Sequence, residues 1–134
     1  KLRYLDEWIA QRQRMANAYS RFFGEYEGVE VPYIVPYGSH VFNYYTVRLK
    51  NPQWNRDKLR SYLNTQGIAT AIYYPLSLHL QEVYQVLGYK TGDFPESEKA
   101  QKEVLSLPIY PELQDERIAR IVYEIGNYLT GRIP

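Results

Sequence analysis

Three runs of β-favouring residues lie far apart along this chain, and that separation constrains the fold more than any other feature. His40 through Leu49 carries Val41, Phe42, Tyr44, Tyr45, Thr46 and Val47, and reads as a strand. Ile68 to Tyr73 reads as a second strand closed by Pro75, and Leu105 to Leu107 as a short third one stopped by Pro108 and Pro111. The intervals are too long for tight hairpin turns and call for helical connections, which makes the class α/β or α+β.

The intervals do carry helical patterns. Leu2, Leu5, Ile9, Ala16, Tyr19 and Phe23 recur at helical spacing, predicting a long amphipathic helix that ends before Gly28. Val29 to Val31 is a short extended stretch, followed by a loop around Pro32 and Pro36. Asn55 is placed to cap a helix from Arg56 to Gln66 ending at Gly67, and Leu78 to Leu87 predicts a short helix before Gly88. Pro95 suits the first turn of a helix running to about Val104, with Glu96 and Glu98 at the favourable end of its dipole. Asp115 is the expected cap of a last helix whose buried stripe is Ile118, Ile121, Val122, Ile125 and Leu129.

With 134 residues the chain has room for one core, and its hydrophobic and charged fractions, 45% and 23%, are those of a folding sequence rather than a disordered one. The net charge of +1 gives no basic face for a nucleic acid. No apolar run is long enough to span a bilayer and no signal-peptide core opens the chain, so a soluble, cytoplasmic chain without a membrane partner is expected. Lys1 stands where a Met would start a protein, and the first helix is in register from Leu2 without a capping signal; the expectation is a piece of a longer protein, although processing would give the same start.

Chemistry has few candidates. Without Cys there is no thiolate nucleophile, disulfide or Cys-type zinc site. His40 and His79 are the only imidazoles; each suits acid–base work or phosphate contact, although an isolated histidine more often fills an uncatalytic, hydrogen-bonded role. No metal-ligand spacing accompanies them. Gly88 to Gly92 lacks the spacing of a phosphate loop, and no Gly-x-Ser-x-Gly surrounds Ser39, beside His40. Fifteen Tyr against four Phe and two Trp favour half-buried walls and interfaces over a dry core. Tyr44-Tyr45 and Tyr73-Tyr74 could stack a sugar, a base or a ring cofactor; alternatively, strand alternation buries one member of each pair and exposes the other.

Three segments taken together resemble one family: His40-Val-Phe-Asn-Tyr-Tyr-Thr-Val-Arg48; Gly67-Ile-Ala-Thr-Ala-Ile-Tyr-Tyr-Pro-Leu-Ser-Leu-His-Leu-Gln81; and Gly92-Asp-Phe-Pro-Glu-Ser-Glu98 leading to Leu105-Ser-Leu-Pro-Ile-Tyr-Pro-Glu-Leu113. In order and spacing they are similar to the C-terminal region of the DegT/DnrJ/EryC1/StrS sugar aminotransferases. The opening Leu2-Arg-Tyr-Leu-Asp-Glu-Trp8, with Arg12, Arg14, Ala16 and Tyr19, looks like the helix joining that family's large and small domains, so the resemblance covers almost the whole chain.

The resemblance implies a fold-type I enzyme that uses pyridoxal 5′-phosphate to move an amino group, usually from glutamate, onto a nucleotide-linked keto sugar, with active sites formed in a homodimer. It implies that residues 1–27 are the interdomain helix and 28–134 the small domain, a short, largely antiparallel sheet under helices that walls the substrate side of the cleft and is inactive alone. The family's Schiff-base lysine lies in the large domain, and Lys1, Lys50, Lys58, Lys90, Lys99 and Lys102 match no such position. No catalytic or cofactor-binding residue is therefore assigned. By the resemblance His40, Asn43, Tyr44 and His79 are substrate-side residues that orient rather than react. Ser77 stands where the family commonly has Pro, and the loss of that ring is expected to loosen the loop aiming His79. The rival expectation is a free-standing, Tyr-rich module that binds a carbohydrate or a protein.

Overall fold

A computed structural model describes residues 2–132. A 3₁₀ turn, Leu2–Tyr4, runs into α1, Leu5–Phe23, and the chain continues through β1, Val29–Glu30, β2, Tyr45–Leu49, and α2, Arg56–Thr65. Two 3₁₀ segments, Leu78–Leu80 and Glu82–Leu87, precede α3, Pro95–Glu103, which passes directly into β3, Val104–Leu107; α4, Asp115–Leu129, closes the fold. The sheet order is β1-β2-β3 with both pairings antiparallel, as the resemblance implied.

Alternation along β2 sends Tyr45, Val47 and Leu49 to the buried side. The register sets Tyr45 opposite Leu107 and Val47 opposite Leu105, so the two central strands present one continuous apolar face. Onto it pack the second half of α1, through Met15, Ala16, Tyr19 and Phe23, and the α4 stripe of Ile118, Ile121, Ile125 and Leu129. Gly126 lets α4 meet α1 closely, since a Cβ there would lie 3.3 Å from the Phe22 ring. On the opposite side of β2, Thr46 Oγ1 lies 2.7 Å from Ser106 Oγ, and Arg48 pairs with Glu103 at the end of α3.

Local signals predicted the helices well. Asn55 caps α2, its side chain accepting the Lys58 N–H at 2.9 Å, and Pro95 occupies the first turn of α3. Asp115 is a correction: Gln114 holds the cap position without a side-chain hydrogen bond, and Asp115 sits in the first turn, paired with Arg14 of α1. The Leu78 to Leu87 helix is likewise replaced by two 3₁₀ pieces separated at Gln81, whose ψ of 142° is extended.

The strands are shorter than their composition suggests. β2 begins at Tyr45 rather than His40, because Phe42 adopts φ 49° and turns the chain before the ladder starts. Ile68 to Tyr73 makes only one bridge, Ala71 to Ser106, with N–H···O distances of 3.0 and 2.9 Å. The apolar stripe of α1 is also only half used: Leu2 is 85% and Leu5 41% exposed, whereas the helix is buried from Met15 onward at the stripe positions.

Candidate functional site

The strained turn before β2 organises the most distinctive surface of the molecule. Phe42 is buried against Tyr45, their ring centroids 6.1 Å apart, and its backbone takes the left-handed conformation. Such a conformation costs an L-residue roughly 1–2 kcal/mol, so it persists only where neighbours impose it. Two side chains of α1 do so: Arg12 Nε donates to the Val41 carbonyl and Gln13 Nε2 to that of His40, each at 3.0 Å. With Phe42 inward, Asn43 and Tyr44 are left on the surface.

His40 closes the same turn. Its Nδ1 accepts the Phe42 N–H at 2.9 Å, and its ring lies 4.3 Å from the Phe42 ring. An accepting Nδ1 puts the proton of the neutral ring on Nε2, so His40 presents an N–H donor outward.

Tyr44 and Tyr73 meet with ring centroids 4.1 Å apart and planes tilted by 46°, uniting the two tyrosine-rich segments. Beneath the pair is a cavity of about 200 Å³ with Asn43, Thr70, Ser106 and Pro108 also in its lining. Thr70 Oγ1 is buried without a hydrogen-bond partner, an unmet polar group in the wall of that cavity. Thr70 was not legible as a site residue, since one Thr in a β-favouring run carries no signal of its own. Tyr45 and Tyr74 fall outside this ring contact. Alternation holds for Tyr44 and Tyr45, one exposed and one buried, but both Tyr73 and Tyr74 are exposed.

The buried phenols serve the core. Tyr19 Oη donates to the Pro108 carbonyl at 3.0 Å, and burial, with Tyr45 and Tyr110 nearby, pushes its ionisation up. Burial likewise pushes Tyr45 up to about 12, a hydrogen bond with Ser20 opposing the shift in part. Neither is an acid or base at neutral pH.

His79 stands apart from Asn43 and Tyr44. Its ring is nearly buried, with Nε2 3.0 Å from Glu98 Oε1 and the ring 4.8 Å from that of Phe94. Glu98 Oε1 also accepts the Gly92 N–H at 2.8 Å. That backbone bond, and after it the His79 bond, hold the Glu98 carboxyl below its ordinary value against the opposing effect of desolvation. The three groups clip the 77–94 segment to α3. Ser77 contributes to the same attachment: its N–H donates to Gln101 Oε1 and its Oγ accepts from Ser97 at 3.1 Å. The loop that a missing Pro was expected to loosen is thus anchored by other means.

Residues 1–126 match the model of the DegT/DnrJ/EryC1/StrS aminotransferase family. The chain belongs to that family. Among DegT/DnrJ/EryC1/StrS relatives, it is 46% identical over 130 residues to the "pleiotropic regulatory protein" of Geobacillus stearothermophilus, covering 96% of this chain and 34% of that protein. It is 33% identical to a dTDP-3-amino-3,4,6-trideoxy-alpha-D-glucose transaminase of Streptomyces venezuelae, covering 96% of this chain and 33% of the relative. The crystal structure of S. venezuelae DesV in complex with a ketimine intermediate superposes with a TM-score of 0.87 at 31% identity, over 96% of this chain and 33% of that one. The chain therefore spans about a third of the length of the relatives it matches.

Membership in the DegT/DnrJ/EryC1/StrS family implies pyridoxal 5′-phosphate, and the described residues do not fit a site for it. A lysine that holds such a cofactor needs a desolvated or specifically charged pocket. Every described lysine is exposed; Lys50 pairs with Glu30 and Lys99 with Glu96. Among the described residues no helix is long and apolar enough to cross a membrane.

Proposed function

We propose that this chain is the small domain of a pyridoxal-phosphate-dependent aminotransferase that transfers an amino group from glutamate to a nucleotide-linked keto sugar. In this reading residues 1–27 are the helix entering from a large domain that holds the cofactor, 28–134 form the substrate-side wall, and the enzyme works as a cytoplasmic homodimer. Family membership supports the reaction class, and the dTDP-sugar transaminase among the relatives supports the substrate class. The observation that carries the wall is the tilted Tyr44–Tyr73 ring contact at the cavity lined by Asn43 and Thr70.

The wall suits a sugar. Phenol rings offer apolar faces to a pyranose, while the Asn43 amide and the Tyr hydroxyls both donate and accept toward its hydroxyls. The Nε2–H of His40 is directed to an acceptor such as a carbonyl or phosphate oxygen. These groups bind and orient, and they exclude water from one side of the ligand. His79 acts one step removed, by fastening the 77–94 segment through Glu98.

The test is glutamate-dependent amination of nucleotide-linked keto sugars by the full-length protein. His40→Ala and Tyr44→Ala are expected to depress turnover by about tenfold or more, the worth of one hydrogen bond to a charged group or one stacked ring, with cofactor absorbance unchanged. Absence of amination overturns the reading, and parental turnover in both variants removes them from the wall. The exposed Tyr33 and Tyr37 favour a second reading, a carbohydrate- or protein-binding module, which predicts sugar binding without amination.

A further inference from the structure

The turn that carries His40, Asn43 and Tyr44 is almost without backbone support. Between residues 31 and 44 the chain makes a single backbone–backbone hydrogen bond among the described residues, from the Gly38 N–H to the Val35 carbonyl at 3.1 Å. That bond closes a turn of its own and reaches none of the three. No ladder holds them either, since β1 ends at Glu30 and β2 begins at Tyr45. The end of the segment is nevertheless specific: Phe42 keeps its φ of 49°, and its N–H is spent locally on His40 Nδ1. A left-handed phenylalanine in an unpaired stretch relaxes unless its flanks are held.

The holding groups come from a distant part of the chain. Arg12 and Gln13, neighbours on α1, are half-buried and reach across 29 and 27 residues of sequence to the consecutive carbonyls of Val41 and His40. Helix geometry sends adjacent side chains out about 100° apart, so the two donors meet the turn from different directions, and a shift of the turn that keeps one bond breaks the other. Each donor gives one N–H to a neutral carbonyl, so what its removal costs is a hydrogen bond rather than an ion pair. Directly after these two residues α1 packs Met15, Ala16 and Tyr19 into the core, which makes it a rigid base for the contact.

We infer that Arg12 and Gln13 are positioning residues for the sugar wall. They hold the backbone of residues 40–42 so that Asn43 and Tyr44 line the cavity shared with Tyr73 and the Nε2–H of His40 is turned outward. The inference rests on the proposed function for what the wall binds, and adds that α1 rather than the sheet sets where the wall stands. Releasing one donor lets the turn populate other backbone conformations, and a ligand read by the turn then binds more weakly by the fraction that stays competent.

Two measurements on the full-length protein test the assignment. Hydrogen exchange followed by mass spectrometry reads the turn itself: Gln13→Met and Arg12→Met are each expected to speed exchange of the peptide spanning residues 39–44 about fivefold, the worth of one hydrogen bond, with exchange in α4 unchanged. Steady-state amination reads the consequence: kcat/KM for the nucleotide-linked keto sugar should fall about fivefold in both variants, while kcat/KM for glutamate and the cofactor absorbance stay parental. Gln13→Met changes no charge, so weaker capture of an anionic substrate does not explain its effect. Arg12→Lys keeps an N–H donor and should restore most of what Arg12→Met loses. In a Tyr44→Ala background Gln13→Met should add little, because both act through one wall. Arg14→Met, which breaks the pair with Asp115 one residue further along α1, is expected to leave both readings parental. Unchanged exchange at residues 39–44, a Gln13→Met loss as large for glutamate as for the keto sugar, or an equal loss in Arg14→Met overturns the inference while the amination reading stands. Faster exchange with parental keto-sugar kinetics overturns it as well, since the turn is then no part of the wall. Absence of amination by the parent protein overturns the proposed function, and the positioning role with it.

Discussion

Phe42 shows two opposed effects meeting at one residue. Its φ of 49° is unfavourable for any side chain bearing a Cβ, and glycine would relieve roughly 1–2 kcal/mol of strain. Its ring, however, is 3% exposed, and emptying a buried Phe site costs about 3–5 kcal/mol. Phe42→Gly is therefore expected to destabilise by about 1–4 kcal/mol, read from a urea midpoint at constant slope. A stabilised variant would show that strain outweighs burial. Glu98 gives a pH dependence of definite sign. Its folded carboxyl titrates below the unfolded value of about 4.3, so its contribution is complete above that pH and is lost as pH falls through the lowered value. Glu98→Gln should lower stability at neutral pH and flatten the acid limb below about pH 4. Parallel limbs in parent and variant would remove Glu98 from the account.

Elements differ in how far local sequence determines them. The α2 helix was legible because its signals are its own: an Asn at the cap, an apolar stripe, and Gly67, whose φ of 71° suits a residue without Cβ. Asn55→Ala should cost about 1 kcal/mol and lower Tm by several degrees, a loss that Asn55→Asp would largely avoid; equal Tm values for Ala and parent would show the cap to be idle. The Ile68 to Tyr73 run was over-read because pairing is decided by a distant partner. β3 pairs with β2 along four positions; on its other edge Ser106 bridges to Ala71, while the Val104 carbonyl is taken by Arg56. The site divides the same way. Asn43 and Tyr44 could be named from their segment, whereas the Tyr44–Tyr73 contact and the orphan Thr70 hydroxyl exist only once remote segments meet.

At the scale of the molecule, α1 belongs to two surfaces. Its second half fills the core beside the sheet and α4, while its first residue, Leu5, and Leu2 and Tyr4 of the 3₁₀ turn before it are exposed. Residues 1–27 cannot then be removed as a passive linker: the deletion takes Met15, Ala16, Tyr19 and Phe23 from one packed cluster, where each large-to-small loss alone costs about 2–5 kcal/mol. A chain beginning at residue 28 is expected to lack a cooperative thermal transition, whereas Leu2→Ser with Leu5→Ser should retain the parental one. A cooperative transition in the shortened chain would show that the sheet and α4 suffice.

The attachment of Ser77 constrains how this sequence can change. A proline has no N–H, so Ser77→Pro alone would strand Gln101 Oε1 and also remove the hydroxyl that receives Ser97. Positions 77, 97 and 101 are therefore epistatic, and their substitutions should not combine additively. Between serine and proline at position 77 this predicts an order effect: replacing Gln101 and Ser97 first makes the proline tolerable, while taking the proline first passes through an intermediate with two broken attachments.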